Sequence, residues 1–207
     1  MVVTPVCEVC RRAEYSGGEC PIVKKCQTTP KLNLGCGIAP KEEHINLDAK
    51  VYCGIQEWDR HLQTDVVMMI ENIVELLPHD YFAEIMSSHV IEHFFLEDAR
   101  DFLRWQFQLL RTGGKIIVEG PCVLGCFRWY QEGREGKDNI DWLIEAFYPY
   151  RNRVNPEYGE LMQHKSGWTG PVCAKEVAAI GFKVVHVGEG QLHGCGWRDF
   201  RVEGIKP

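Results

Sequence analysis

From Lys31 onward, short apolar runs alternate with stretches whose apolar residues recur at helical spacing. That alternation predicts an α/β fold with a mostly parallel sheet. Lys31–Leu34 reads as a first strand, stopped by Gly35-Cys36-Gly37, and Ile45–Asp48 as a second, closed by an acidic residue. Asp65–Ile70 gives a third strand, and Ala83–Ser88 a fourth that opens into His89-Val90-Ile91-Glu92-His93. Ala99, Phe102, Leu103 and Leu110 place a helix over Leu96–Arg111. Arg111 falls in its last turn, with Gly113-Gly114 expected to close it. Lys115–Glu119 then predicts a fifth strand, ended by Gly120-Pro121.

Residues 122–170 break this rhythm. They carry Trp129, Trp142, Trp168, Tyr130, Tyr148, Tyr150 and Tyr158 among scattered Gly and Pro, and are expected to cover one end of the sheet. The pattern resumes with a short helix over Lys175–Ile180 capped by Gly181, and strands over Phe182–Val187 and Trp197–Ile205. The glycine-rich loop between those strands is too short for a helical crossover, which makes them an antiparallel pair.

Residues 1–30 show neither period, and Gly17-Gly18, Pro21 and Pro30 interrupt them. The expected division is a Cys-rich segment over 1–30 and one α/β domain over 31–207. So short a segment buries little apolar surface and needs a staple. Cys7, Cys10, Cys20 and Cys26 all fall within it. Cys7-x2-Cys10 has the bite of a zinc knuckle, and Cys20 and Cys26 would complete four thiolates, although the second spacing is longer than usual. An iron–sulfur cluster uses the same ligands, and four reduced cysteines packed on the main domain are the plain structural alternative. Cys122, Cys126, Cys173 and Cys195 are scattered and are assigned no metal.

Composition narrows the class. The chain has 207 residues, 45% hydrophobic and 25% charged, as in a packed globule. Its longest apolar run, Val66-Val67-Met68-Met69-Ile70, is far short of the ~20 residues that span a bilayer. No signal-peptide pattern opens the sequence, so a cytoplasmic location with reduced thiols is expected. A net charge of −6 disfavours general affinity for nucleic-acid phosphates.

The chemistry begins at Gly35-Cys36-Gly37. Glycines after a strand let backbone approach a ligand where a side chain would block it, although any tight turn could supply such a tripeptide. A carboxylate at the tip of the next strand, Asp48, can accept hydrogen bonds from both ribose hydroxyls of a nucleoside. A dinucleotide dehydrogenase shares this logic, but Pro40 follows where the third glycine of Gly-x-Gly-x-x-Gly is needed.

Several blocks occur in order: Lys31-Leu32-Asn33-Leu34-Gly35-Cys36-Gly37, Ile45-Asn46-Leu47-Asp48, Ser88-His89-Val90-Ile91-Glu92-His93-Phe94 and Leu109-Leu110-Arg111-Thr112-Gly113-Gly114-Lys115-Ile116-Ile117-Val118. His164-Lys165-Ser166-Gly167-Trp168-Thr169 and Ala179-Ile180-Gly181-Phe182 follow. Over residues 31–205 the sequence resembles the class I S-adenosylmethionine-dependent methyltransferases, especially a small bacterial and phage-type branch.

The resemblance implies a Rossmann-like seven-stranded sheet, five parallel strands plus a final antiparallel pair, with S-adenosylmethionine across the strand ends. Gly35, Cys36 and Gly37 would line its methionine part through their backbone, Asp48 would take the ribose, and Ile70 would meet the adenine edge. Ser88 and His89 would lie where the methyl group emerges. Many relatives have an aspartate near the end of the third strand. Met69 stands there in this chain, so adenine recognition is expected to rest on backbone and apolar contacts. Only seven residues, Ile38 to His44, join the glycines to the second strand, fewer than the dozen or so of a parallel crossover. One helical turn after Pro40 is the most this allows, which weakens any dipole contribution to cofactor binding.

Methyl transfer is an in-line displacement, in which positioning does much of the work. A protonated acceptor also needs a base, and histidine suits neutral pH. His89 at the expected mouth is the first candidate and His164 in the aromatic cover the second. For His89 a loop-shaping hydrogen bond is the plain alternative. His93 is expected to be structural, with Glu92 complementing a helix dipole in its first turn. The aromatics of 122–170 are expected to be core more than substrate platform.

The sequence therefore leads to a methyltransferase acting on an unidentified acceptor, a small molecule or glycan in preference to nucleic acid. The alternative is a non-catalytic binding module with a zinc-stabilised interaction segment.

Overall fold

Lys31–Leu34 (β1) and Phe82–Ser88 (β4) lie side by side and parallel, with Leu32, Leu34, Phe82 and Ile85 completely buried. Both faces of β1 are covered, since Asn33 between the two leucines is buried as well, as expected of a strand with crossover connections on both sides. The computed structural model describes residues 30–37, 39–49, 64–67, 69–134, 139–148, 163–192 and 196–207. The Cys7, Cys10, Cys20 and Cys26 cluster lies outside them, as do Tyr150 and Tyr158.

Ile45–Asp48 (β2) pairs parallel with β1, and Val66–Val67 (β3) parallel with β2. Leu110–Pro121 (β5) adds to β4 in parallel, and Asp199–Ile205 (β7) runs antiparallel between β5 and Lys183–Glu189 (β6). The seven-stranded sheet has the order β3-β2-β1-β4-β5-β7-β6. The expected architecture, including the antiparallel final pair, is thus the observed one.

Several boundaries differ from the sequence expectation. The third strand was expected to reach Ile70, but among the described residues Val66–Val67 pair, and Ile70–Asn72 turn into a 3₁₀ segment leading to α1 (Ile73–Leu76). The long helix α2 runs over Leu96–Leu109, not to Arg111. Leu110 is extended and buried, already in the sheet opposite Phe82. The tertiary contact overrides the helical period. Gly113 and Gly114 serve the strand instead of the helix. Gly113 adopts φ 75° and donates to the Lys206 carbonyl, and a Cβ on Gly114 would lie 2.7 Å from the Arg111 carbonyl oxygen. The cation at the end of α2 is Lys206, whose Nζ donates to the carbonyls of Phe107 and Leu110.

The aromatic stretch contains α3 (Val123–Glu132) and α4 (Ile140–Phe147). Trp129 of α3 stacks on Trp142 of α4 and meets Trp197, and Trp168 is 1% exposed. Trp129 and Trp168 are thus buried, whereas Trp142 and Trp197 are half-buried. The last helix, α5 (Gly170–Ile180), starts five residues earlier than expected because Thr169 caps it, its Oγ1 accepting from Val172 N. The last strand begins at Asp199, since Gly196–Arg198 form a 3₁₀ turn. Among the described residues no helix is long and apolar enough to cross a membrane.

Two buried asparagines account for the short β1–β2 connection. Asn33 Nδ2 donates to Asn46 Oδ1, which also accepts Lys41 N at 2.7 Å, while Asn46 Nδ2 donates to the Lys41 carbonyl. Side-chain amides thus satisfy backbone groups that a helix would satisfy internally. Within the limit of one turn after Pro40, the connection holds a single turn closed by His44 N donating to the Lys41 carbonyl.

Candidate functional site

In an open α/β sheet the ligand crevice lies outside the carboxyl ends of the strands, where the strand order reverses. Here that point is between β1 and β4, because β2 continues to one side of β1 and β5 to the other side of β4.

The loop leaving β1 has both flanking glycines in left-handed conformations, Gly35 at φ 63° and Gly37 at φ 48°. A Cβ on Gly35 would lie 2.5 Å from Val90 Cγ2, so the residue following His89 packs directly onto this loop. Among the described residues, nothing lies within 4 Å of the Cβ position of Gly37. Asp48 Oδ2 accepts the Gly37 N–H at 2.8 Å. The three residues singled out in sequence are therefore one structural unit.

Cys36, between the glycines, turns inward. It is 4% exposed, with its Sγ 3.5 Å from Thr64 Oγ1. Burial pushes its thiol up to about 11, which keeps it protonated and unreactive at neutral pH. Only its backbone faces the loop. Met69 is half-exposed and extended, immediately before the turn containing half-buried Ile70, at the end of β3.

At the end of β4 the Ser88 Oγ is buried without a hydrogen-bond partner. His89 follows in a left-handed conformation, φ 56°, a region costing a non-glycine residue about 1–3 kcal/mol. Its side chain anchors that geometry: Nε2 lies 3.1 Å from Asp199 Oδ2 and Nδ1 lies 3.3 Å from Glu92 Oε1. Burial works to lower the His89 pKa, but the Asp199 and Glu92 carboxylates outweigh it and raise it to about 9. His89 therefore holds its proton at neutral pH and acts as a donor.

Glu92 is not an exposed residue complementing a helix dipole, as its sequence position suggested. It lies in the 3₁₀ turn Ile91–His93 and is 1% exposed. Burial disfavours its charge, yet the neighbouring His89 holds its pKa below the ordinary value. His164 Nε2 approaches the same oxygen at 3.9 Å, so both histidines proposed from sequence converge on Glu92. Burial lowers His164 to about 4 and leaves its ring neutral at pH 7, with a lone pair available to a proton or a cation.

Sequence reasoning missed the acids around His89. Asp199 starts the final strand, far from His89 in the chain, and no local pattern marks it. Glu92 had a signal: an acid inside the apolar run Val90-Ile91-Glu92-His93-Phe94-Phe95 has to be buried or stand out of it.

The residues around the glycine loop fit an adenosyl cofactor: room at the Gly37 Cβ position among the described residues, a carboxylate beside it and an orphaned hydroxyl at Ser88. No family model matches the chain, and no curated protein matches it in sequence. Solved structures do. A SAM-dependent methyltransferase from Archaeoglobus fulgidus is similar over 98% of this chain and 95% of its own, at 14% identity and a TM-score of 0.54. The 1,6-didemethyltoxoflavin-N1-methyltransferase of Burkholderia thailandensis, solved with S-adenosylhomocysteine, is similar over 97% of this chain and 84% of its own, at 11% identity and a TM-score of 0.53. With its strand order, its glycine loop and these likenesses, the chain has the fold of the class I S-adenosylmethionine-dependent methyltransferases.

Proposed function

We propose that this protein transfers a methyl group from S-adenosylmethionine to a small-molecule or glycan acceptor. The observation that carries this reading is the pairing of Asp48 with Gly37 at the point where the strand order reverses. That arrangement sets a ribose-binding carboxylate beside a loop whose backbone a ligand can approach.

S-adenosylmethionine supplies a methyl group on a sulfonium, an electrophile that a nucleophile displaces in line. The protein's share is binding and orientation. Gly35, Cys36 and Gly37 present backbone to the methionine part, Asp48 accepts from the ribose hydroxyls, and Met69 and Ile70 flank the adenine. Ser88 offers its unpaired hydroxyl at the end of β4. Protonated His89, fixed between Asp199 and Glu92, orients the acceptor side. His164 completes that side. On sequence grounds alone, Cys7, Cys10, Cys20 and Cys26 form a zinc-bearing appendage.

Calorimetric titration with S-adenosylhomocysteine tests the reading, with Asp48→Ala as the control. Micromolar binding that the substitution abolishes supports it. No binding up to millimolar concentration in a folded sample rejects it and leaves a methyltransferase fold serving another purpose.

A further inference from the structure

Outside the cofactor crevice, one group of side chains has more ligand chemistry than the fold requires. Glu92, His93 and His164 each offer a ligand atom, and these atoms all lie within 4.8 Å of one another. Glu92 is the unusual member. Its carboxylate is 1% exposed, and its charged partner His89 meets Oε1 alone, at 3.3 Å. Among the described residues Oε2 has no hydrogen-bond partner. A buried carboxylate so sparsely paired is costly, and native proteins resolve the cost with further partners or a metal. Oε2 faces Gly120, where an added Cβ would lie 3.3 Å from it.

We propose that Glu92, His93 and His164 bind one divalent first-row transition-metal cation. Two imidazoles and one carboxylate suit this class of ion and leave coordination positions open. Three atoms at most 4.8 Å apart share a point no more than about 2.8 Å from each (4.8 divided by the square root of three). Metal–ligand distances of about 2.0–2.2 Å then need each atom to move inward by less than about 1 Å.

The surroundings already hold the ligands as a metal site does. His93 Nδ1 donates to the Gln163 carbonyl at 3.1 Å, which fixes the tautomer with its lone pair on Nε2. His164 hydrogen-bonds the Ala146 backbone in α4. Metal-binding histidines are oriented by such bonds from their second nitrogen. The segment carrying His164 is clamped to the turn carrying Glu92, because Lys165 N and Ser166 N both donate to the Glu92 carbonyl, at 2.7 and 3.2 Å. The two imidazole rings lie 5.1 Å apart and are inclined by 68°, an edge-on contact that keeps both ligands on the same side of Glu92.

Cobalt(II) titration of the full chain separates this site from the N-terminal thiolates. A nitrogen–oxygen site gives visible ligand-field bands alone, whereas thiolate ligation adds near-ultraviolet charge transfer. The wild type is expected to bind one equivalent without charge transfer. His93→Asn and His164→Asn should each weaken that equivalent by about 10–100-fold. His93 is half-buried and off the hydrophobic core, so its substitution keeps the fold, as far-ultraviolet circular dichroism would verify. Cobalt that appears only with charge transfer, no cobalt binding at all, or unchanged binding in both variants would overturn the site. The readout needs neither cofactor nor acceptor, so its failure is distinct from failure of the methyltransferase reading.

Discussion

Asp48 Oδ2, at the tip of β2, accepts the backbone N–H of Gly37 at 2.8 Å. The bond joins two neighbouring strands across their carboxyl ends and fixes the exit of the glycine loop. Gly37 itself adopts a positive φ, so the loop leaves this bond in a left-handed turn, and loop conformation and acid position meet at one residue. The short β1–β2 connection has no helix among its described residues. The asparagine pair and this carboxylate therefore take over the ordering that a helix N-terminus would otherwise give.

Removing the carboxylate should cost binding more than folding. Asp48→Ala is expected to weaken S-adenosylhomocysteine by about 1.5–3 kcal/mol, the range for hydrogen bonds to a charged group. Asp48→Asn, which keeps one acceptor oxygen, should fall between the two. Calorimetric affinities beside thermal melts check this. Equal affinity for all three folded proteins would remove Asp48 from the site.

Gly35 is constrained twice over. Its φ of 63° disfavours any L side chain, and a Cβ would meet Val90 Cγ2 at 2.5 Å. Gly35→Ala should destabilise the protein by about 2–4 kcal/mol, combining left-handed strain with overpacking. Adding Val90→Ala relieves the clash but not the strain, so denaturation curves should show partial recovery. Full recovery would mean that the backbone conformation costs nothing there, and none would mean that Val90 is not the obstacle.

These two positions also mark how far the sequence could be read. Gly35, Gly37 and Asp48 were legible because a tight turn and a strand-tip acid act locally, within one β-turn-β unit. The strands were legible as short apolar runs, since parallel neighbours need burial on both faces, whereas the seven-stranded arrangement came with the family resemblance. Where tertiary contact decides, the reading drifted. Leu110 fits the helical period but pairs with Phe82, and Lys206, not Arg111, caps the helix. The acid set around His89 was the least legible, because Asp199 reaches it only through the pairing of β5 with β7.

Acid should loosen the sheet through Glu84. His44 Nε2 donates to it at 3.1 Å and Lys115 Nζ lies 3.1 Å away; these partners hold its pKa down to about 2, against the opposing effect of burial. A carboxylate with a depressed folded-state pKa stabilises fully above its unfolded value, about 4.5. That stability is lost as pH falls from there through about 2. The contribution is about 1–3 kcal/mol after allowance for solvent screening. Glu84→Gln should flatten the acid limb of a stability–pH curve between those values and leave its slope at neutral pH unchanged. An acid limb identical to wild type would place the proton uptake elsewhere.

Glu119, near the end of β5, lies beside Ser88 at the end of β4. It is 1% exposed, and its Oε1 accepts from Arg201 at 2.6 Å and from Gln191 N at 3.0 Å, while Oε2 accepts from Leu192 N at 3.0 Å. Together with Glu203, whose Oε1 accepts from Arg201 Nε at 2.6 Å, Glu119 neutralises a guanidinium on β7, and it ties down the loop that follows β6. Its backbone carbonyl accepts His89 N, so the same residue supports the strained turn after β4. Glu119→Ala leaves Arg201 with Glu203 alone and two loop amides without their acceptor, and should cost about 1–3 kcal/mol, whereas Glu119→Leu with Arg201→Met should recover part of it. Denaturant unfolding measures the energy, and amide exchange at Gln191 and Leu192 measures the loop. The double variant should regain stability while those two amides still exchange fast, because an apolar pair fills the space but accepts no hydrogen bond. If the amides stay protected without the carboxylate, the loop is held by its own turn, and Glu119 serves Arg201 alone.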